Sequence, residues 1–214
     1  KLLKGRSNEE ILNRWLAAAA APTFLVDPDR GWRDEDQVAT SVVACDPQPL
    51  LEALPVLDRA GWRDRWVTAG KKASAAIAAT MVSTPLHEGH VVRALSMRLP
   101  EAGQVFIGSS MPIRAADSFW PLSRTQQRFF ANRGASGIDG LVSTGLGVAT
   151  GRDPSPTVLL LGDLSLYHDM NGLWALQRHG IRATLVVCDN NGGGVFNFLP
   201  QAEHQDVFEE IFAT

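Results

Sequence analysis

Asp163 and Asn190 carry the hard oxygen donors that Mg²⁺ prefers, and they stand 27 positions apart, each just after a short apolar run. The first sits in Gly162-Asp163-Leu164-Ser165 and the second opens Asn190-Asn191-Gly192-Gly193-Gly194. Two protein side chains leave octahedral positions for phosphate oxygens and water, so the pair suits a magnesium diphosphate, with Mn²⁺ as the alternative ion. Gly162 lets a phosphate approach the backbone, and the helix behind Ser165 presents free N–H groups to anionic charge. Gly192 to Gly194 frees the chain to turn a carbonyl toward the metal. A lone Gly-Asp is common. Both clusters at this spacing, each behind a strand, are far more specific.

The elements that must position these residues read as one βαβ crossover. Thr157 to Leu161 is a strand, a helix follows with Leu166, Met170, Leu173 and Trp174 on its apolar face, and Gly180 closes it. Thr184 to Cys188 is the next strand, parallel to the first, so both loops open at the sheet edge where α/β folds place ligands. Both strands are uninterrupted apolar runs, as expected when both faces are covered. Gln104 to Ile107 is a further strand, and His87 to Leu99 is a helix with Val91, Ala94, Leu95 and Leu99 at helical period, opened by Thr84-Pro85. Asn8 to Ala21 is a helix capped by Ser7 and stopped by Pro22. Thr23 to Val26 and Thr40 to Ala44 are short strands ending in Asp-Pro turns, and Leu50 to Leu57 is a short helix interrupted by Pro55. From Asp58 to Met81 the chain is helical, with Trp62 and Trp66 sharing one face and expected to pack across a domain junction. The fold expected is three-layer α/β with a parallel sheet, preceded by the remnant of a second α/β unit.

Composition sets the outer limits. The chain has 214 residues, 45% apolar and 20% charged, with 20 Lys and Arg against 23 Asp and Glu. This is the balance of a soluble globular protein, with no basic excess for nucleic acid and no polybasic run for a membrane. Trp15 to Ala21 falls far short of the ~20 residues that span a bilayer. Cys45 and Cys188 lie far apart without a CxxC, so neither a disulfide framework nor a zinc knuckle is expected, and a cytoplasmic address is the default.

The Asp-to-Asn spacing resembles the thiamine diphosphate signature, with Leu164 standing where the commonest form has glycine. Together with Asn132-Arg133-Gly134-Ala135-Ser136-Gly137-Ile138-Asp139-Gly140 and Gly108-Ser109-Ser110-Met111-Pro112-Ile113-Arg114, the chain resembles the 2-succinyl-5-enolpyruvyl-6-hydroxy-3-cyclohexene-1-carboxylate synthase (MenD) family of menaquinone biosynthesis. The resemblance covers at least residues 84 to 200. It implies that residues 1–69 end a central domain with a connecting helix, and that 70–214 form a diphosphate-binding domain truncated at its end. It further implies a fragment without the pyrimidine-binding domain and its catalytic glutamate, so that the piece alone binds cofactor weakly and turns over little.

By the same resemblance Asp163, Asn190 and the Gly192 carbonyl hold the metal, while Ser110 and Ser165 touch the diphosphate. Gly137, Gly162, Leu164 and Gly193 lie against the cofactor, and Ile138 supports its thiazolium ring. Arg114 and Arg133 clamp substrate carboxylates, and Val195, Phe196 and Leu199 wall the apolar side. The implied reaction decarboxylates 2-oxoglutarate and adds the cofactor-bound four-carbon unit to isochorismate, releasing carbon dioxide. A homodimer or tetramer is implied for the full-length enzyme. Two bidentate guanidiniums suit polyanionic substrates.

Other readings stand beside these. The chain is alternatively an acetolactate synthase-like enzyme, a 2-oxoacid decarboxylase, or a non-catalytic module. Asp163 could simply cap its helix, Arg114 and Arg133 could be surface ion pairs, and Gly137, Gly145 and Gly147 could serve only close packing. His87 and His90 are spaced three apart, wrong for a zinc helix, and Cys188 reads as inert core. His168 and His179 read as solvated or helix-end histidines, and Arg30 to Asp36 and Arg59 to Arg65 as solvated faces.

Overall fold

The computed structural model describes residues 8–31, 34, 36–55, 61–121, 127–132, 137–151 and 155–212. Ser7, Arg133, the stretch 134–136 and parts of both charge runs lie outside the described residues. The described residues form two compact units, 8–73 and 74–212. Among them no helix is long and apolar enough to cross a membrane.

In the first unit, helix α1 (Asn8–Ala18) precedes strands β1 (Phe24–Val26) and β2 (Ser41–Val43), which pair in parallel with Phe24 opposite Ser41. Helix α2 (Pro47–Ala53) starts earlier than its apolar residues indicate. Asp46, expected in a turn, is its N-cap and accepts the Gln48 N–H at 2.9 Å, while Pro47 takes the first helical position, where no N–H is needed. Helix α3 (Trp62–Val82) begins here and continues into the second unit. Trp62 and Trp66 are both exposed and meet edge-to-face at 5.8 Å, so they pack on each other.

The second unit is built on a parallel sheet of β3 (Gln104–Ile107), β4 (Arg128–Phe130), β5 (Thr157–Gly162) and β6 (Thr184–Cys188), in the order β4-β3-β5-β6. Alternation along the strands separates two cores. Val105, Ile107 and Leu160 face helices α4 (Glu88–Arg98) and α5 (Met111–Phe119) through Val92, Ala115 and Ala116. Phe106, Leu159 and Leu161 face helix α6 (Leu141–Ala149) through Leu141, Val142 and Leu146. Three layers result, helices on both sides of a parallel sheet, as expected.

The crossover after β5 is not one helix. Helix α7 (Asp163–His168), a 3₁₀ turn (Met170–Leu173) and helix α8 (Trp174–His179) succeed one another, and Gly180 caps the last with φ of 59°. The break lies at Asp169, a buried carboxylate that accepts the Ser143 N–H at 2.7 Å and its hydroxyl at 3.1 Å. This resets the helical phase, so Leu166, Leu173 and Leu176 pack inward. Met170 and Trp174, expected on the apolar face, are exposed instead. β6 is also less covered than a two-faced strand should be, because nothing pairs beyond it in the described sheet.

Sheet order then fixes a crevice. From β3 the chain crosses through α5 on one face to β4, and from β4 and β5 it crosses through α6 and α8 on the opposite face. A constant crossover hand requires that change of face when the direction reverses. Beyond the carboxyl ends of β3 and β5 the departing chains therefore diverge, which is the switch point where open α/β sheets bind ligands.

Candidate functional site

The loops leaving β3, β5 and β6 surround one cavity of about 450 Å³. Ser109, Ser110 and Arg114 come from the first, Gly162 to Ser165 from the second, and Asn190 and Gly193 to Phe196 from the third. Gly137 and Ile138 reach it from the segment before α6.

Asp163 joins two of these loops. Its Oδ1 accepts the Leu164 N–H at 2.8 Å and its Oδ2 accepts the Gly192 N–H at 2.7 Å, across from the β6 loop. It sits at the first position of α7 rather than at its cap, which is Gly162. The helix is six residues long and Asp163 takes one of its first N–H groups, so it offers less to an anion than expected. The β6 loop owes its shape to three successive left-handed residues, Asn191, Gly192 and Gly193, with φ of 63°, 75° and 56°. Asn tolerates that region better than most residues and glycine adopts it freely.

Gly162 is extended, and a Cβ there would meet only Ser165 Oγ at 3.8 Å. A side chain there would project into the open space in front of the strand end. Gly145 shows the opposite case: its Cβ would lie 2.5 Å from Leu159 and 2.9 Å from Phe106, whereas Gly147 has nothing within 4 Å. The packing reading therefore holds for Gly145 and fails for Gly147.

Arg114 stands on the first turn of α5 and donates to the Ser110 carbonyl at 2.8 Å, leaving others of its five donors toward the cavity it lines. Ser110 itself has φ of 72° and makes no side-chain cap bond. Leu199 does not line the cavity and is 40% exposed at the end of a 3₁₀ turn. Gly192 meets the site through its bond to Asp163 rather than as a lining residue.

Sequence reasoning gave no site role to two residues here. Ser109 is buried in the cavity wall, and its hydroxyl has no hydrogen-bond partner among the described residues. A buried unpaired hydroxyl costs about 1–3 kcal/mol, and its place beside Ser110 directly after β3 was the available signal. Cys188 ends β6 at the same wall; burial first, then the Glu88 and Asp163 carboxylates, push its thiol up to about 11. Its thiol is held protonated at neutral pH, and it is not remote from the site. The histidines are structural: His87 Nδ1 accepts the Gly89 N–H, and His90 Nδ1 accepts the His87 N–H. No cluster of three His, Cys, Asp or Glu side chains suited to a metal occurs among the described residues. His168 lies 3.8 Å from Asp139.

Residues 109–211 match the family described as thiamine pyrophosphate enzyme, C-terminal TPP binding domain. Over these residues the chain is similar to thiamine pyrophosphate enzymes. It is similar to the 2-succinyl-5-enolpyruvyl-6-hydroxy-3-cyclohexene-1-carboxylate synthase of Bacillus velezensis, at 40% identity over 91% of this chain and 34% of the relative. The synthase of the same name from Geobacillus kaustophilus is 42% identical over 94% of this chain and 35% of the relative. That from Listeria monocytogenes is 40% identical over 95% of this chain and 36% of the relative. The chain thus spans about a third of the length of the curated relatives it matches.

The residues present fit a diphosphate and a divalent cation. An unpaired Ser109 hydroxyl supplies a donor, the space before Gly162 admits a group close to the backbone, and Asp163 and Asn190 supply hard oxygens to one cavity.

Proposed function

We propose that this chain is the diphosphate-binding part of a thiamine-diphosphate-dependent transferase of menaquinone biosynthesis. The full-length enzyme decarboxylates 2-oxoglutarate and joins the remaining four carbons to isochorismate, yielding the product that the relatives' name denotes. The observation that carries this reading is the bond from Gly192 N–H to Asp163, which draws the two strand-end clusters into one cavity.

Thiamine diphosphate, when bound, supplies carbanion chemistry that no side chain offers. The chain's own residues bind and orient. Asp163, Asn190 and the Gly192 carbonyl would hold Mg²⁺ or Mn²⁺; Ser110, Ser165 and Ser109 would donate to the diphosphate. Gly137 and Ile138 would support the ring, Gly162, Leu164 and Gly193 would lie along the tail, and Val195 and Phe196 would keep water from that wall. Arg114 and Arg133 would clamp substrate carboxylates, because a guanidinium matches a carboxylate with two parallel bonds. We assign residues 1–69 to the end of a central domain with its connecting helix and 70–214 to the diphosphate-binding domain, in a cytoplasmic homodimer or tetramer.

The test uses the full-length protein. Calorimetry with thiamine diphosphate and Mg²⁺ should show binding, and mass spectrometry should show the coupled product from 2-oxoglutarate and isochorismate. Arg114→Ala and Arg133→Ala should each weaken 2-oxoglutarate use while leaving cofactor affinity nearly intact. Equal loss of both would overturn the substrate role, and turnover of a neutral-tailed 2-oxoacid instead would favour the decarboxylase reading.

A further inference from the structure

Asn190 has a neighbour that its own loop does not provide. Its Nδ2 donates to Glu88 Oε1 at 3.3 Å, across 102 positions of sequence. A carboxylate only accepts, so the amide must turn its nitrogen toward Glu88, which leaves Oδ1 directed elsewhere. Gly194 closes another side. A Cβ there would lie 2.5 Å from Nδ2 and 2.9 Å from Oδ1, so the amide rests directly on the Gly194 backbone.

The backbone that carries Glu88 is fixed. Glu88 is the first residue of α4, whose start is fixed by the reciprocal His87 and His90 bonds, with His90 Nε2 also 2.9 Å from the Met81 carbonyl. The His87 ring packs on Phe119 of α5 at 5.3 Å.

We infer that Glu88 is a positioning residue that fixes the Asn190 amide with its oxygen, not its nitrogen, available to the divalent cation. This deepens the functional reading above and rests on it. Partners behind a ligand set its orientation, and removing one typically costs 10–100-fold in metal affinity, about tenfold here.

The test is Mn²⁺ binding to the full-length protein with thiamine diphosphate, followed by electron paramagnetic resonance rather than by turnover. Glu88→Ala should weaken Mn²⁺ about tenfold, whereas Glu88→Gln, whose amide oxygen still accepts from Nδ2, should stay within about threefold. In an Asn190→Asp background both ligand oxygens are equivalent, so adding Glu88→Ala should cost less than about twofold. A tenfold loss in that background, or an equal loss in Glu88→Gln, would show that Glu88 acts through charge or fold and would overturn the inference. Unchanged affinity in Glu88→Ala would also overturn it. Wild-type protein that binds neither Mn²⁺ nor cofactor would sink the functional reading itself.

Discussion

Two cavities of similar size, both lined by described residues of the second unit, differ in how far they are built to bind. The cavity at the strand ends measures about 450 Å³; the other, between α6 and the broken crossover, measures about 530 Å³. The larger one is lined by Ser143, Leu146, Gly147, Thr150, Trp174 and Ile181 among others. Ser143 already bonds Asp169, and the Thr150 hydroxyl donates to the Gly147 carbonyl at 2.8 Å. Around the smaller one lie an unpaired buried hydroxyl, left-handed residues that aim a loop, and two oxygen donors held by neighbours. Volume does not distinguish a site. Polar groups held in place with bonding capacity left over do.

Asp163→Ala should break the contrast most severely. It removes a cation donor and frees the Gly192 N–H, so affinity for Mg²⁺ with thiamine diphosphate should fall by about 100-fold, while Ser143→Ala in the other cavity stays within about twofold by calorimetry. Equal losses would erase the distinction. Gly145→Ala should cost about 1–3 kcal/mol in urea unfolding, because its methyl meets Leu159 and Phe106, whereas Gly147→Ala should be neutral or gain up to about 1 kcal/mol. Gly194→Ala displaces the Asn190 amide and should weaken Mn²⁺ binding about tenfold, with melting shifted by only a few degrees.

Ser109→Ala sharpens the comparison from the other side. Loss of an unpaired hydroxyl should leave stability unchanged or slightly raised, yet cofactor affinity should fall about three- to tenfold. A clear drop in melting temperature would mean that the hydroxyl serves the fold. The smallest effect concerns Cys188. With its thiol raised from 9.0 to about 11, the folded state keeps a proton that the unfolded chain releases, so stability should decline between pH 9 and 11. At pH 8 iodoacetamide should label the half-buried Cys45 well before Cys188, as peptide mapping would show.

Much of the site was legible because its signals are local. β3 and β6 occupy the residues that their apolar runs mark, and β5 extends the expected run by one residue, Gly162. β4 was missed since its three residues lie exposed at a sheet edge, without apolar alternation to announce them. The crossover was read as one helix because the residue that breaks it, Asp169, finds its partner at Ser143, 26 positions away. Arg133, a central expectation, falls outside the described residues, and Leu199 lies away from the cavity lining.

The order of residues alone determined which chemistry was available: two oxygen donors and a run of glycines, each attached to a strand end by a few peptide bonds. Tertiary structure decided who stands behind them. That Glu88 meets Asn190, and that the Ser109 hydroxyl is enclosed without a partner among the described residues, depends on which strand lies beside which and on which face each helix returns. Contacts across 102 positions are selected by packing of the whole sheet, a free energy summed over both cores that no local stretch of chain encodes.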